Sequence, residues 1–356
     1  MKKILQIGPS VSKAKGGMAT VIKELTESSL LSQTYDIDEY PSFADGPFLY
    51  RLFYSMWSFI RFHWIYQGYD IFHIHMASKG STFRKGYYIK FLKKHKRKVV
   101  LHVHGSTYKD FYENLSEKQR EKAYSIWAAC DKVLVLSDNW YDYFTQIFPN
   151  AKIVIVENGV DVETYEAANT GRFHENQLLF LGRLGHRKGA YDLIEAMSLA
   201  VKERPDLHLF MAGDGELNEI KRVISQKGLD NHIECLGWVS ATERLELLKK
   251  VGILVLPSYN EGLPMAILEA MAAGKVIIST TVGAIPEVVK SENGILLEPG
   301  DILGLTKALI KASQVSNWSE QAVAVNPQLI REFYSKEQMH NKIKVIYDIL
   351  LTEAKE

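Results

Sequence analysis

Short apolar runs alternate along this chain with segments of helical periodicity. The runs are KILQIG, YDIFHIH, KVVLHVHG, KVLVLS and AKIVIV in the first half, then LLFLGR, LHLFMAG, HIECLGW, GILVLPS and KVIIST in the second. Apolar strands separated by helices are typical of parallel sheets that carry helices on both faces. The pattern therefore predicts an α/β fold with two doubly wound, Rossmann-like parallel sheets.

A polar stretch without periodicity, DVETYEAANTGRFHENQ, separates the two halves. It places the domain junction near 165–175, and we set the domains at 1–167 and 168–330. The later segment MHNKIKVIYDILL repeats apolar residues at helical spacing. Residues 331–356 are therefore predicted to hold a helix that packs back on the first domain, and a ligand cleft is expected between the two sheets.

Composition and charge narrow the class of protein. The 356 residues are 46% hydrophobic and 24% charged, a globular balance that argues against disorder. The net charge of +1 provides no general attraction to nucleic acid. Two cysteines 105 residues apart, without a CxxC motif, fit reduced thiols. The apolar run in the start MKKILQIGPS is too short for a signal peptide. We expect a cytoplasmic protein.

Ligands of open parallel sheets bind at the carboxyl ends of the strands, so functional residues are expected at those positions. After the first strand, GPSVSKAKGGMATVIKEL places Gly16 and Gly17 before a predicted helix. Their backbone N–H groups could approach an anion, although a plain turn explains the glycines equally well. The segment matches neither the P-loop nor the dinucleotide fingerprint.

Histidines lie near the ends of two predicted strands of the first half. His102 and His104 in KVVLHVHG point to the same side of the strand, and His104 is nearer to the end. His104 could donate a hydrogen bond to a substrate or act as a base, or it could be a polar residue of the cleft wall. His73 and His75 lack a carboxylate or cysteine at ligand spacing, so structural or substrate-lining roles fit them better than a metal site.

Basic residues follow the first strand of the second half. In LLFLGRLGHRKGAYDLIEAM, Arg183 and Lys188 stand between a strand and a helix, where both cations and the helix start could bind one diphosphate. A solvated basic turn is the alternative. In MAGDGELNEI, Gly213 belongs to a close-approach turn, and Asn218 stands where a dinucleotide site would need its third glycine.

The stretch LPSYNEGLPMAILEAMAAG holds two glutamates around a predicted helix start. Glu261 lies in the turn, Pro264 suits the first helical turn, and Glu269 follows about 7.5 Å further along the axis. This separation suits two ends of one extended ligand better than an acid and base pair. Each glutamate alone could equally form an ordinary ion pair.

The ordered series of these motifs with NGVD, LGWVS, GAIPEVV and NGILLEPGD resembles the retaining GT-B glycosyltransferases of family 4 over nearly the whole chain. The EGLP segment with the second glutamate matches the E-x7-E motif of that family. The resemblance implies transfer of a sugar, with retention, from a nucleotide-diphosphate sugar, most simply a UDP-sugar. It implies no cofactor and no metal.

The resemblance also implies roles for single residues. Arg183 and Lys188 would neutralise the leaving diphosphate, Glu261 would bind the donor sugar, and Glu269 would bind the ribose. His104 would contact the donor sugar near the reacting carbon. The remaining donor-binding residues implied are Gly16, Gly17, Gly213, Ser258, Gly262, Leu263 and Pro264. VGAIP stands where many members have two adjacent glycines, which leaves a backbone contact at Ala284 open.

The acceptor side is indicated by two segments. FLYRLFYSMWSFIRFHWIY carries an apolar stripe at helical spacing with basic flanks, and SKGSTFRKGYYIKFLKKHKRK is densely basic. We expect residues 48–66 and 79–98 to contact an anionic membrane at the inner face of the plasma membrane, with a core helix and a solvated basic face as the alternative. The expected acceptor is a glycan or polyprenyl-linked sugar in cell-surface polysaccharide assembly.

Other functions remain open at this point. A GT-B phosphorylase, a sugar-nucleotide epimerase or a non-catalytic nucleotide-sugar binder would share much of the fold. Nucleic-acid binding through the basic segment is not expected, because no recognition module accompanies the charge.

Overall fold

The computed structural model describes residues 1–12, 17–44, 46–105, 107–169, 174–314 and 316–353. The chain forms two compact units, one of Met1–Gly159 with Lys336–Glu356 and one of Val160–Ser335. The chain thus passes between units after Gly159 and after Ser335, whereas the sequence-based divisions stand after 167 and after 330.

The first unit contains a parallel sheet with helices. Its strands are β1 (Lys2–Pro9), β2 (Tyr35–Phe43), β3 (Ile71–Met76), β4 (Lys98–Val103), β5 (Lys132–Val135) and β6 (Ile153–Ile155). Its helices before residue 159 are α1 (Gly17–Thr26), α2 (Ser29–Ser32), α3 (Phe48–Ile65), α4 (Gly80–Lys94), α5 (Tyr108–Glu113), α6 (Glu117–Ala128) and α7 (Asp138–Ile147). The strands follow the order β2-β1-β3-β4-β5-β6, and every pairing is parallel.

The second unit repeats this plan with another strand order. Its strands are β7 (Gln177–Leu181), β8 (His208–Ala212), β9 (Ile233–Gly237), β10 (Ile253–Leu256), β11 (Val276–Thr280) and β12 (Gly294–Leu297). Its helices are α8 (Val162–Glu166), α9 (Ala190–Glu203), α10 (Leu217–Gln226), α11 (Ala241–Lys250), α12 (Met265–Ala272), α13 (Ile285–Val288), α14 (Ile302–Ala312) and α15 (Ser316–Phe333). The order is β12-β11-β10-β7-β8-β9, again all parallel.

This second order has one reversal point. Successive strands run outward from β7 in one direction, through β8 to β9, and then from β10 to β12 in the other. Helices that follow β7 and β10 therefore leave toward opposite faces, and a crevice opens at the carboxyl ends of these two strands. Ligands of doubly wound sheets bind at such a point.

The last helix, α16 (Lys336–Thr352), belongs to the first unit. Its buried residues Ile343 and Tyr347 pack in one apolar cluster with Ile4 of β1, Val100 of β4 and Leu134 of β5. The apolar spacing of this segment is therefore the buried face of a helix that covers the first sheet.

Two edge strands were absent from the sequence-based prediction. β2 lies at the edge of the first sheet, and its sequence, YDIDEYPSF, mixes charged and apolar residues instead of forming an apolar run. β12 is a four-residue edge strand of the second sheet. The mixed sequence of β2 gives little apolar signal, as an edge strand allows, whereas β12 was missed although its sequence, GILL, is apolar.

The α16 packing gives a test of stability. Ile343 is fully buried, so Ile343→Ala should lower the free energy of unfolding of the first unit by about 2 to 5 kcal/mol. The control is Val345→Ala on the same helix, where the side chain is 57% exposed and the change should stay within about 0.5 kcal/mol. Urea unfolding followed by circular dichroism measures both, and equal losses would contradict this packing.

Candidate functional site

The reversal point of the second sheet carries the predicted cations. Arg183 is the second residue after β7, and its side chain is exposed. In the described part of the chain, no carboxylate lies within 4.0 Å of its guanidinium. After β7, the chain forms a 3-10 turn at His186–Lys188, and α9 then begins at Ala190. Arg183 is thus a free positive charge at a strand end.

A close backbone approach supports the position of Arg183. A Cβ added at Gly213 would lie 1.8 Å from the carbonyl oxygen of Gly182, so only glycine fits there. The glycine at 213 therefore allows the loop after β8 to lie against the backbone of Gly182, the residue before Arg183. This contact is the close approach that the sequence predicted.

Lys188 and Glu261 form an ion pair in this crevice. Lys188 comes from the β7 segment and Glu261 from the loop after β10, so the pair joins the two strands of the reversal point. The Glu261 residue is only 7% exposed. Ser258 Oγ, which is fully buried, donates to the same oxygen, Oε1 of Glu261, at 2.7 Å. These two contacts fix the carboxylate.

The other oxygen of Glu261 is not engaged in this way. No hydrogen bond to Oε2 occurs within the described ranges, and Oε2 is not among their buried unpartnered atoms. One carboxylate oxygen is thus held by the protein and the other is open to a ligand hydroxyl. The arrangement suits recognition of a polyol by a pre-positioned acceptor.

The loop between Glu261 and α12 is built into the core. Leu263 is 4% exposed, and Pro264 precedes the helix and accepts the backbone N–H of Ile267 at 3.1 Å. The carbonyl of Gly262 accepts the backbone N–H of Ala284 at 2.9 Å. The Ala284 amide is therefore occupied within the protein and holds the Gly262 backbone in place.

Glu269 pairs with an arginine that the sequence analysis did not identify. Nη1 of Arg244 lies 2.6 Å from Oε1 and 2.6 Å from Oε2 of Glu269, which is 4% exposed as a residue. Burial lowers the pKa of Arg244, but the nearby Glu269 charge and hydrogen bonds outweigh it, and the pKa is raised. The carboxylate thus faces a permanent cation.

The LGWVS motif positions this arginine. Ser240 caps α11, accepting the N–H of Glu243 at 3.3 Å, while the Glu243 side chain accepts the N–H of Ser240 at 2.7 Å. Such a capping box fixes where a helix begins, and therefore which face Arg244 occupies. The box S-x-x-E was visible in the sequence, although the partner of Arg244 was not.

In the first unit, His104 lies in a cluster of histidines. Its Nε2 is 2.9 Å from Nδ1 of His75, and Nε2 of His75 is 2.6 Å from Oε1 of Gln6. An amide oxygen can only accept, so His75 carries its proton on Nε2, and His104 must donate from its own Nε2. Nδ1 of His104 then presents a lone pair. Burial lowers the pKa of His104 to about 3, so the ring is neutral.

This proton arrangement changes the expectation for His104. The neutral ring can accept a hydrogen bond through Nδ1, whereas a low pKa makes it a weak base. Donation to a substrate oxygen, one of the predicted roles, would require the other tautomer. The donor-sugar contact of His104 stays a prediction.

A second chain of hydrogen bonds leads from Gln6 through Tyr347 to the other histidines. Nε2 of Gln6 donates to the Tyr347 hydroxyl at 3.0 Å, and this hydroxyl lies 2.6 Å from Nδ1 of His73. Nε2 of His73 lies 3.2 Å from Nδ1 of His102. His73, His75 and His102 each place a ring nitrogen within 4.8 Å of the others, a spacing that could hold a metal ion. Hydrogen bonds engage both ring nitrogens of His73 and His75 and Nδ1 of His102, whereas the buried Nε2 of His102 has no partner within the described residues.

The two predicted glycines of the first unit differ. Gly16 lies outside the described residues. Gly17 begins α1, and an added Cβ there would meet nothing within 4 Å. The protein itself therefore does not require glycine at 17, and its predicted approach to a ligand phosphate stays a prediction.

Two family models match adjoining parts of this chain, with a short overlap at 161–164. The model described as Glycosyltransferase Family 4 matches residues 31–164, and that described as Glycosyl transferases group 1 matches residues 161–324. The chain belongs to the family-4 type of glycosyltransferases. The resemblance inferred from the motif series is confirmed.

Curated relatives of this glycosyltransferase share parts of their length with it. Glycogen synthase from Mycobacterium tuberculosis is 31% identical over 185 residues, which are 50% of this chain and 44% of that protein. The UDP-Gal:alpha-D-GlcNAc-diphosphoundecaprenol alpha-1,3-galactosyltransferase from Escherichia coli is 33% identical over 177 residues, 46% of this chain and 45% of that protein. The chain spans about half the length of these relatives.

Solved structures confirm the fold of the glycosyltransferase. Sucrose-phosphate synthase from Thermosynechococcus elongatus superposes with a TM-score of 0.81 over 99% of this chain and 100% of that chain, at 17% identity. With its two parallel six-stranded sheets, the chain has the predicted GT-B fold. At this identity the likeness concerns the fold alone.

The Arg244 pair gives a second test of stability. Glu269→Gln removes the charge that Arg244 faces, and should lower the free energy of unfolding of the second unit by about 1.5 to 3 kcal/mol, because a hydrogen bond to a charged group is lost at a nearly buried carboxylate. Glu246→Gln on α11 is the matched control, since Glu246 is exposed and pairs with Lys249, where about 0.5 kcal/mol or less is expected. Denaturant unfolding that shows no difference between the two variants would refute a stabilising role for the buried pair.

Proposed function

We propose that this chain transfers a sugar from a nucleoside-diphosphate sugar, a UDP-sugar in the first instance, to a hydroxyl of a glycan or lipid-linked acceptor. The observation that carries the proposal is the charge arrangement at the reversal point of the second sheet. Arg183, which is exposed and has no carboxylate partner among the described residues, and the carboxylate-bound Lys188 follow β7. Glu261, with one oxygen that accepts no hydrogen bond from those residues, follows β10. Cations next to a hydroxyl acceptor suit a diphosphate joined to a sugar.

Each side chain contributes one interaction in this proposal. Arg183 and Lys188 bind the diphosphate, and the first N–H groups of α12, which have no partner within the helix, add hydrogen bonds to phosphate oxygens. Oε2 of Glu261 accepts a hydroxyl of the sugar. Glu269 holds the ribose hydroxyls with the oxygen lone pairs that Arg244 leaves available.

The proposed reaction retains the anomeric configuration. The bond between the anomeric carbon and the diphosphate oxygen breaks, and the acceptor oxygen bonds to that carbon on the same face. The acceptor proton passes to an oxygen of the departing diphosphate, so the protein supplies no base. The negative charge that develops on the diphosphate is stabilised by the two cations, which is the main catalytic contribution expected of the protein.

The setting proposed is cell-surface polysaccharide assembly at the inner face of the plasma membrane. The printed name of the Escherichia coli relative describes a UDP-Gal donor and a diphosphoundecaprenol-linked acceptor. The first unit adds a basic and apolar surface on α3 and α4 that suits an anionic bilayer. In the described ranges, no helix is both long and apolar enough to span a membrane.

Loss of the free cation should impair the chemical step. Arg183→Ala should reduce kcat about 100- to 1000-fold, because one preorganised charge on the leaving group is removed. The rate of UDP release from UDP-sugars with acceptor measures this effect.

Arg222→Ala is the control for Arg183→Ala. Arg222 is an exposed arginine of α10 that pairs with Glu219, so its loss should leave kcat near the wild-type value. If both variants turned over like the wild type, Arg183 would have no leaving-group role. Lys188→Ala is a weaker test, since it also strands the buried Glu261 carboxylate and so destabilises the fold.

Metal removal tests the role of the two cations. If Arg183 and Lys188 neutralise the diphosphate, turnover should persist in excess EDTA, and added Mg²⁺ should change it little. Activity that EDTA abolishes and Mg²⁺ restores would show that an ion supplies the charge instead.

A further inference from the structure

Helix α3 presents an unusually apolar surface to solvent. Phe53 is 65% exposed, Trp57 56%, Ile60 61% and Trp64 84%. The stripe was expected either at a membrane or in the core, and these exposures exclude the core alternative. A contiguous exposed apolar surface of this kind marks a binding site in a soluble domain.

A cavity opens beside this surface. It has a volume of about 620 Å³ and lies between the end of β2, helix α3 and helix α4. Its lining is mostly aromatic and aliphatic: Phe43, Phe48, Leu52, Met56, Phe59, Tyr87 and Tyr88. This volume falls in the range of about 300 to 1,000 Å³ that small-molecule sites occupy. We call it the α3–α4 groove.

Two arginines line the same groove. Arg51 lies on α3 and Arg84 on α4, and in the described chain neither guanidinium has a carboxylate within 4.0 Å. The Arg84 guanidinium lies 4.6 Å from the centre of the Phe43 ring, and its buried Nε has no hydrogen-bond partner there. Burial and the charge of Arg51 lower the pKa of Arg84. Two like charges without a described counter-ion favour a bound anion.

The sequence around the groove strengthens this charge argument. Helices α3 and α4 contain no aspartate or glutamate, and the cations that line the cavity are Arg51 and Arg84. Lys85 is buried and donates to the backbone carbonyl of Ile7, and Lys93 pairs with Asp131, so these lysines of α4 are engaged elsewhere. The groove therefore combines an apolar cavity with a cationic lining. A ligand that satisfies both must carry an anionic group on a hydrocarbon chain.

We propose that the α3–α4 groove binds the phosphate end of a membrane isoprenoid phosphate, with the first part of the hydrocarbon chain in the cavity and the phosphate on Arg51 and Arg84. The exposed face of α3 lies in the headgroup region and places the groove at the bilayer surface. This proposal rests on the proposed transfer to a lipid-linked acceptor, and assigns the site that holds the lipid.

Farnesyl phosphate is the probe, titrated by calorimetry against the full chain. It should bind at least about tenfold more tightly than farnesol, because the charged headgroup adds hydrogen bonds to two guanidiniums. Inorganic phosphate alone should show no measurable binding, since it lacks the chain. Arg84→Met and Arg51→Met should each reduce the affinity for farnesyl phosphate toward that for farnesol.

Two further variants separate the groove from general effects. Ser55→Trp should fill the cavity and abolish binding of the probe. Lys118→Met removes an exposed cation of α6 outside both segments and should leave the affinity unchanged. Because Arg51 is exposed, Arg51→Met keeps the test valid if Arg84→Met fails to fold.

Vesicle flotation tests the source of the lipid. Phosphatidylcholine vesicles that contain undecaprenyl phosphate should recover the wild type better than vesicles with the same charge from phosphatidylglycerol. Equal recovery on both kinds of vesicle would show a general contact with anionic surfaces instead of specific binding in the groove, and so would overturn the proposal. Concentration-dependent dimers by light scattering, lost in Trp57→Ser, would assign the face to a second copy and overturn it too.

The outcome for the groove is separable from that for the proposed function. UDP binding by the second unit, measured in the same variants, should not change. Sugar transfer to a soluble acceptor without farnesyl phosphate binding would refute the groove alone. Farnesyl phosphate binding without any affinity for nucleotide sugars would refute the proposed function and leave the groove intact.

Discussion

The reversal of strand order between β7 and β10 is the constraint on which the candidate site depends. Because all six strands of the second sheet are parallel, each connection must cross a face of the sheet, and only at the reversal do two neighbouring connections diverge. The crevice that results receives Lys188 from one strand and Glu261 from the other. Neither residue would meet the other if the strands followed their sequence order.

Ion pairing then determines which groups in this crevice are fixed and which are free. The Lys188 to Glu261 pair and the Arg244 to Glu269 pair hold two nearly buried carboxylates in defined orientations. A buried carboxylate without a cation would be costly, so each pair is needed for the site to exist before a ligand arrives. Arg183 remains exposed and has no carboxylate partner in the part of the chain that the structure describes, the state expected of a charge kept for a ligand.

The central strands and the motif residues could be predicted from the sequence for a physical reason. Strands buried on both faces are continuous apolar runs, and the residues after them are at the ligand-binding edge. The edge strand β2 was missed because its sequence mixes charged and apolar residues, whereas β12 was missed although its sequence, GILL, is apolar. Arg244 and the Gln6 branches of the histidine cluster escaped because they depend on contacts between residues far apart in sequence. The α3 stripe was recognised, but periodicity alone could not decide whether its apolar face is buried or exposed.

A structure of the chain with a bound UDP-sugar would test the central claim most directly. The account predicts the diphosphate at the carboxyl ends of β7 and β10, with Arg183 and Lys188 in hydrogen-bond contact with its oxygens and a sugar hydroxyl on Oε2 of Glu261. A diphosphate bound elsewhere in the second unit, with Arg183 in solvent and Lys188 contacting only Glu261, would contradict it.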